Sequence, residues 1–417
     1  MVNFSSMRVV VTGMGAIAPN GNTVPEYWNS LISAKSGIDH ISYFDTSNFP
    51  VKIAGEISNF DPENHFERKE VRKLDPFSIY ALVACSEAIE MSGLNSYDFN
   101  NERAGVMVGC GIGGINTLLH EHDVLNNSGA RRISPFFVTK LIVNIAGGQI
   151  AIKWNFKGPN QTIVSACASA TDAIGMAFRT IQSGMADIMI AGGTEASICD
   201  LPLAGFSKIR ALCNEADPPQ SASRPFDKDR SGFVMGEGAG MLILESEEHA
   251  ISRGATILGE LAGYGATNDA YHVTQPAEGG AGAVLAMQLA IEDAKAKPED
   301  IDYINAHGTS TPFNDKNETS AIKTVFGDHA SKLKISSSKS MTGHLLGASG
   351  GIEAIAALKT IEDQNIPPTI NYNTPDPECD LDYVPNVAQK AKVDFVLSNT
   401  FGFGGHNAVI AMSKWRG

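Results

Sequence analysis

The chain has 417 residues, 43% hydrophobic and 19% charged, with a formal net charge of −14. This composition fits a soluble globular protein with a large core and excludes a fibrous or disordered chain. The acidic total argues against nucleic acid as the main partner, and no apolar stretch reaches the roughly 18 residues of a membrane span.

Six cysteines, Cys85, Cys110, Cys167, Cys199, Cys213 and Cys379, form no C-x-x-C pair. A zinc site of that type is therefore not expected, and no other metal is either. Reduced thiols in a cytoplasmic compartment are expected. The apolar run at 9–11 is short and soon broken by Gly13 and Gly15, which makes a poor signal peptide.

Residues 8–12 (RVVVT) predict a strand, followed by GMGAIA at 13–18. These glycines match a dinucleotide fingerprint, but that fingerprint needs a helix to begin there. Pro19, Asn20, Gly21 and Asn22 follow instead, so a tight turn is the preferred reading. Helices are predicted over 24–34 and 78–93, the second with Leu82, Cys85, Ala88 and Ile89 on one face. Between them RKEVRK (68–73) is a basic cluster on an acidic chain: a solvated helix face, or a dock for an acidic partner. A strand at 104–108 ends in GCGIGG, whose glycines allow close backbone or ligand approach. Arg131 and Arg132 precede an apolar run at 133–138.

The densest stretch is 162–193. β-Branched residues 162–164 read as a short buried strand. A helix follows with Ile174, Ala177, Phe178 and Ile181 on one face, ending at Gly184. Residues 187–191 then form another strand. Cys167 sits where the first strand hands over to the helix. The unpaired N–H groups and dipole of a helix N-terminus favour a thiolate, which lowers a thiol pKa from about 8.5 toward neutrality. The alternative is a small buried cysteine filling space. Loop 224–240 (RPFDKDRSGFVMGEGAG) is too charged for a core segment; it is a packed functional loop or a salt-bridged structural one. A strand follows at 241–244.

From residue 257 the order begins again. A strand (258–264), a helix (283–294), a strand ending in INAHGTST, a helix (316–326), a strand (333–337) and a helix (350–361) lead to two strands joined by FGFGGHN. The chain thus divides into halves at 1–256 and 257–417. Two such α/β halves would pack as sheets with helices between and outside them. The duplication sets the Cys167 strand end opposite the region of Lys339 and His344. His307 and His344 lie in hydroxyl- and glycine-rich turns after strands, where a structural hydrogen-bonding role is the alternative.

Cys167 in SACASATDAIG, His307 in NAHGTSTPFND, Lys339 and His344 in KSMTGHLLGASGGIE, RPFD with GFVMGEGAG, and FGFGGHN follow one another along nearly the whole chain. Together they resemble the β-ketoacyl-acyl-carrier-protein synthases, most closely elongating enzymes of type II. Cys–His–His differs from the initiating type, which has Asn for the second His. Thiolases carry a second reactive Cys near the C-terminus, and none follows Cys379 here. The resemblance implies an α/β, thiolase-like, duplicated five-layered αβαβα core and no cofactor.

It further implies a decarboxylating Claisen condensation of an acyl thioester with malonyl-acyl-carrier-protein in fatty-acid elongation. Cys167 would carry the acyl group, the N–H groups of Cys167 and Phe403 would form an oxyanion hole, and His307 and His344 would donate to an enolate. Lys339 would support them electrostatically, with Glu353 as our proposed partner for it. Phe403 would gate the acyl pocket, lined by Ile112 and by Phe137 reaching across a homodimer. Thr309, Thr311 and, less directly, Thr274 would bind pantetheine; turn-capping hydroxyls are the alternative. Acyl carrier protein, being acidic, would dock on Arg68, Lys69, Arg72, Lys73, Arg131, Arg132, Lys208 and Arg210. A ketosynthase of a specialised polyketide-like pathway would share this chemistry. A Cys–His hydrolase or a non-catalytic chain-length partner is the reading from a different class. His406 has no role that the sequence supplies.

Overall fold

The protein is described by a computed structural model over residues 7–213 and 216–417. Ten strands of these residues form one sheet. The first half contributes β1 (Val9–Ile17), β2 (Ala104–Gly109), β3 (Asn160–Ile163), β4 (Ile188–Glu195) and β5 (Gly238–Ser246). The second contributes β6 (Gly259–Asn268), β7 (Tyr303–Asn305), β8 (Lys334–Ser336), β9 (Phe395–Gly402) and β10 (His406–Ser413). Across the sheet the order is β8-β7-β9-β10-β6-β1-β5-β4-β2-β3. Outward from the centre, each half runs first, fifth, fourth, second, third strand. The two halves therefore repeat one topology. They join where β1 and β6 pair antiparallel, with Val9 opposite Leu261.

Five helices frame this sheet: α1 (Pro76–Ser92), α2 (Ser169–Gln182), α3 (Ala281–Asp293), α4 (Pro312–Phe326) and α5 (Ser349–Asp363). α2 and α5 pack on each other and on strands of both halves, which makes them the central layer. α1 covers β1 and β5 from outside, while α3, backed by α4, covers β6 and β10. The two halves of the sheet lie on either side of α2 and α5, so the layers run helix, half-sheet, helix, half-sheet, helix. Ile174, Ala177, Phe178 and Ile181 of α2 are all buried, and each large one contributes about 1.5–3 kcal/mol by leaving water. α5 fits between the two halves of the sheet because it opens on small residues. A side chain at Gly351 would meet the backbone of Gly240 and Gly193.

Two local readings change. GMGAIA is not a turn: β1 continues through it to Ile17, with a bulge between Val11 and Gly13. Its glycines serve packing, since a Cβ at Gly15 would overlap the carbonyl oxygen of Ala84 on α1. No helix N-terminus for a pyrophosphate forms there. β3 is not buried either. It is the sheet's outer edge, paired only with β2, its residues are exposed or half-exposed, and Val164 beyond it is 54% exposed. Among the described residues, no helix is long and apolar enough to cross a membrane.

Candidate active site

The ends of β3, β7, β8 and β9 bring the chemistry together. Cys167 sits in a 3-10 turn (Ala166–Ala168) leading into α2. The turn is sharp: Ala166 has φ 50°, a left-handed conformation that strains a residue with a side chain. His344 follows β8 and the short helix Lys339–Thr342. Its Nε2 is 3.1 Å from Cys167 Sγ. The Leu346 N–H donates to His344 Nδ1 at 3.2 Å, and Ser349 Oγ lies 2.8 Å from the same nitrogen. A backbone N–H can only donate, so Nδ1 is the acceptor and a neutral His344 carries its proton on Nε2, facing the sulfur. Backbone bonds fix the residue further: its N–H donates to Val234 and its carbonyl accepts from Gly236. The 224–240 loop thus holds His344 in place, and it is salt-bridged as well, through Arg230 to Asp315 and Asp376.

His307 lies just past β7, with its ring 5.3 Å from that of His344, edge to face. Both histidines are 2% exposed. Glu318 on α4 accepts the N–H groups of His307 and Gly308, each at 2.8 Å. His307 Nδ1 is buried with no hydrogen-bond partner among the described residues, so only His344 has its tautomer fixed by neighbours. Lys339, 1% exposed, is hydrogen-bonded through Nζ to Glu353 on α5.

Burial governs the titrations here. It holds both imidazoles well below the usual histidine range, helped by the Lys339 charge. It raises the Glu353 carboxyl against the pull of Lys339. It also pushes the Cys167 thiol up to about 11, despite Lys339 and the N–H groups of Phe403 and Cys167. The helix-terminus expectation of a lowered thiol pKa is therefore overturned: removal from water outweighs what the turn's N–H groups return.

A cavity of about 330 Å³ opens onto this group. Cys167, His307, His344, Ile112, Phe403, Thr309, Thr311 and Thr274 all line it. Thr309 and Thr311 are 2.9 Å apart through their hydroxyls, and Thr311 also caps α4. Thr274 is exposed at the mouth. Phe403 packs against Phe206, with ring centroids 6.5 Å apart. Phe137 does not line this cavity; it begins the short helix Phe137–Leu141. A larger groove of about 950 Å³ between segments 19–42 and 54–65 contains none of these groups.

All eight proposed docking residues are exposed. Arg210 reaches the cavity mouth, and Lys73 lies over the Phe136 ring, linking the 68–73 and 131–136 segments. Arg68 and Lys69 have local carboxylate partners, Glu63 and Glu67. The sequence reading missed Ser349, Glu318 and Glu195. Glu195 lines the cavity; its only sequence signal is a charge closing the apolar run IMIAGGTE.

The profile described as "Beta-ketoacyl synthase, N-terminal domain" matches residues 6–250, and "Beta-ketoacyl synthase, C-terminal domain" matches 258–373. The 3-oxoacyl-[acyl-carrier-protein] synthase 2 of Staphylococcus aureus (strain N315) is 52% identical over 408 residues, 98% of each chain. The Synechocystis sp. protein of the same name is 50% identical over 416 residues, 100% of each. Among solved structures, a Burkholderia phymatum β-ketoacyl synthase superposes with TM-score 0.91 at 33% identity, covering 98% of this chain and 100% of that one. A ketosynthase bound to a hexaketide and complexed with its type II PKS acyl-carrier protein gives 0.90 at 37%, with the same coverage.

Proposed function

The chain belongs to the β-ketoacyl synthase family, and from that membership we propose that it elongates fatty acyl chains by decarboxylating Claisen condensation. The observation that carries this is Cys167 Sγ 3.1 Å from His344 Nε2, with His307 beside it in one cavity. Full-length relatives at 50 and 52% identity are 3-oxoacyl-[acyl-carrier-protein] synthases. The polyketide ketosynthase is 37% identical, so fatty-acid elongation is preferred to the polyketide-like alternative.

The sulfur of Cys167 attacks the acyl thioester on acyl carrier protein. The tetrahedral oxyanion accepts from the N–H groups of Cys167 and Phe403; losing one such donor typically costs about 3 kcal/mol. The carrier thiol leaves with the proton that the cysteine gave up. A malonyl thioester then enters and loses CO2. Its electrons pass to the thioester oxygen as an enolate, which accepts hydrogen bonds from His307 and His344. A buried neutral imidazole suits this role, because its N–H stabilises developing charge without first losing a proton. The carbanion attacks acyl-Cys167, the sulfur departs, and a 3-oxoacyl product two carbons longer leaves on the carrier.

Thr309, Thr311 and Thr274 suit the pantetheine arm, and the exposed basic residues suit an acidic carrier. An exposed edge strand and the exposed apolar residues beside it, Ile152 and Val164, support a homodimer. Incubation with malonyl-acyl-carrier-protein alone is the test. CO2 release that disappears in His307→Ala is expected; thioester hydrolysis without CO2 would make the protein a hydrolase.

A further inference from the structure

The internal duplication contains a second, altered copy of the nucleophile turn. Ala166–Ala168 leads into α2 at Ser169, and Leu346–Ala348 leads into α5 at Ser349. Ala166 (φ 50°) and Leu346 (φ 48°) share the left-handed conformation. Gly347 therefore corresponds to Cys167. The strands facing these turns also correspond: β4 and β9 are each eight residues long and follow Asp187 and Asp394. They close on Glu195 and Gly402. A Cβ at Gly402 would lie 3.1 Å from the Cys167 nitrogen, so the absent side chain leaves that N–H open to the cavity. In the related copy the place is filled. Glu195 Oε2 accepts from the Gly347 N–H at 3.1 Å and the Gly111 N–H at 2.8 Å, and Oε1 accepts from the Ile112 N–H at 3.1 Å.

One carboxylate thus ties two turns that lie directly against each other, a Cβ at Gly347 reaching to 2.3 Å from the Gly111 nitrogen, in the wall of the substrate cavity. The first carries Ile112 and the second carries Leu346, whose own N–H orients His344. Resting on the acyl-transfer reading, we propose that Glu195 is a positioning residue: by clamping the Ile112 turn to the Leu346 turn it fixes the acyl-chain entrance beside Cys167 and so sets discrimination among acyl-chain lengths. The clamp needs acceptors only, which an ionised carboxylate supplies at both oxygens and a protonated acid or an amide does not. Burial brings the Glu195 carboxyl to about 7, opposed by the N–H groups it accepts from. Its titratable neighbours are Cys110, with Sγ at 3.8 Å, and Cys167; no ion pair to it is found among the described residues. The clamp therefore tightens as pH rises through about 7 and loosens as pH falls through it.

The test measures the rate of Cys167 acylation by intact mass, using acyl-carrier-protein loaded with a short, a medium or a long chain, at pH 8 and pH 6. In the unaltered enzyme the spread of rates between best and worst chain should narrow at pH 6. Glu195→Gln should narrow it at both pH values by about tenfold, the loss typical of one hydrogen bond to a charged acceptor, and should abolish the pH dependence. An unchanged spread at pH 8 in Glu195→Gln would overturn the clamp; should that variant not fold, Glu195→Asp, whose shorter carboxylate cannot reach both turns, must narrow the spread at pH 8, and an unchanged spread there would overturn it equally. No acylation of Cys167 by any chain would instead overturn the acyl-transfer reading itself.

Discussion

His344 illustrates how a neutral imidazole is committed to one task. The Leu346 N–H claims Nδ1, the proton is left on Nε2, and that proton faces sulfur. Such a histidine donates; it does not take the cysteine's proton at rest. With the thiol near 11, alkylation of Cys167 by iodoacetamide should keep rising with pH between 7 and 10. A plateau near pH 7 would mean a preformed thiolate. The depressed histidines carry a stability consequence. Below the ordinary pKa of about 6.5 the unfolded chain takes protons that the native site refuses, so stability begins to fall there and keeps falling until pH passes the depressed native values. Lys339→Ala leaves Glu353 buried without its cation, and breaking such a pair costs about 3–5 kcal/mol. It should also raise both histidine pKa values, because Lys339 is what holds them down after burial. The denaturation midpoint and the acid limb of the CO2-release profile should move together; a fall in stability with an unmoved acid limb would deny Lys339 its electrostatic role.

At the scale of elements, the strands of the sheet and the helices that frame it were legible because their apolar spacing is local, whereas the helices Ile115–Ser128 and Ile145–Trp154 were not read. Cys167 at a strand–helix handover and the repeated element order could be read the same way. What the sequence concealed depends on partners far along the chain. GMGAIA looks like a turn until α1 is seen lying on it, with Ala84 and Ala88 where side chains of Gly15 and Gly13 would go. Gly15→Ala should therefore yield little folded protein, and soluble protein of normal thermal stability would show that β1 and α1 can separate. β3 has the residues of a buried strand, yet its position at the sheet edge exposes it. Glu195 carried almost no signal, since a lone carboxylate after an apolar run resembles the start of a loop. The GFGG turn belongs to this scale too. Phe403→Ala should blur discrimination between acylated and free enzyme, seen as acyl transfer to an enzyme already carrying a chain; unchanged acyl-chain kinetics would remove its gating role.

For the whole molecule, duplication explains why one cavity holds groups from both halves. The repeat brings the Cys167 turn against the strand ends that bear His307 and His344, at the inner end of the cavity. The same body carries exposed basic residues on an acidic chain. Charge reversal at Arg68 and Lys69 should raise the KM for acyl carrier protein and flatten its salt dependence, because rim charges act mainly on association. The joint reaction is best read directly on the protein. After incubation with acyl-acyl-carrier-protein, a mass spectrum should show one acyl group on Cys167, and adding malonyl-acyl-carrier-protein should remove it as a 3-oxoacyl product two carbons longer. An acyl group on another residue, or its release as free acid, would contradict carbon–carbon bond formation at this site.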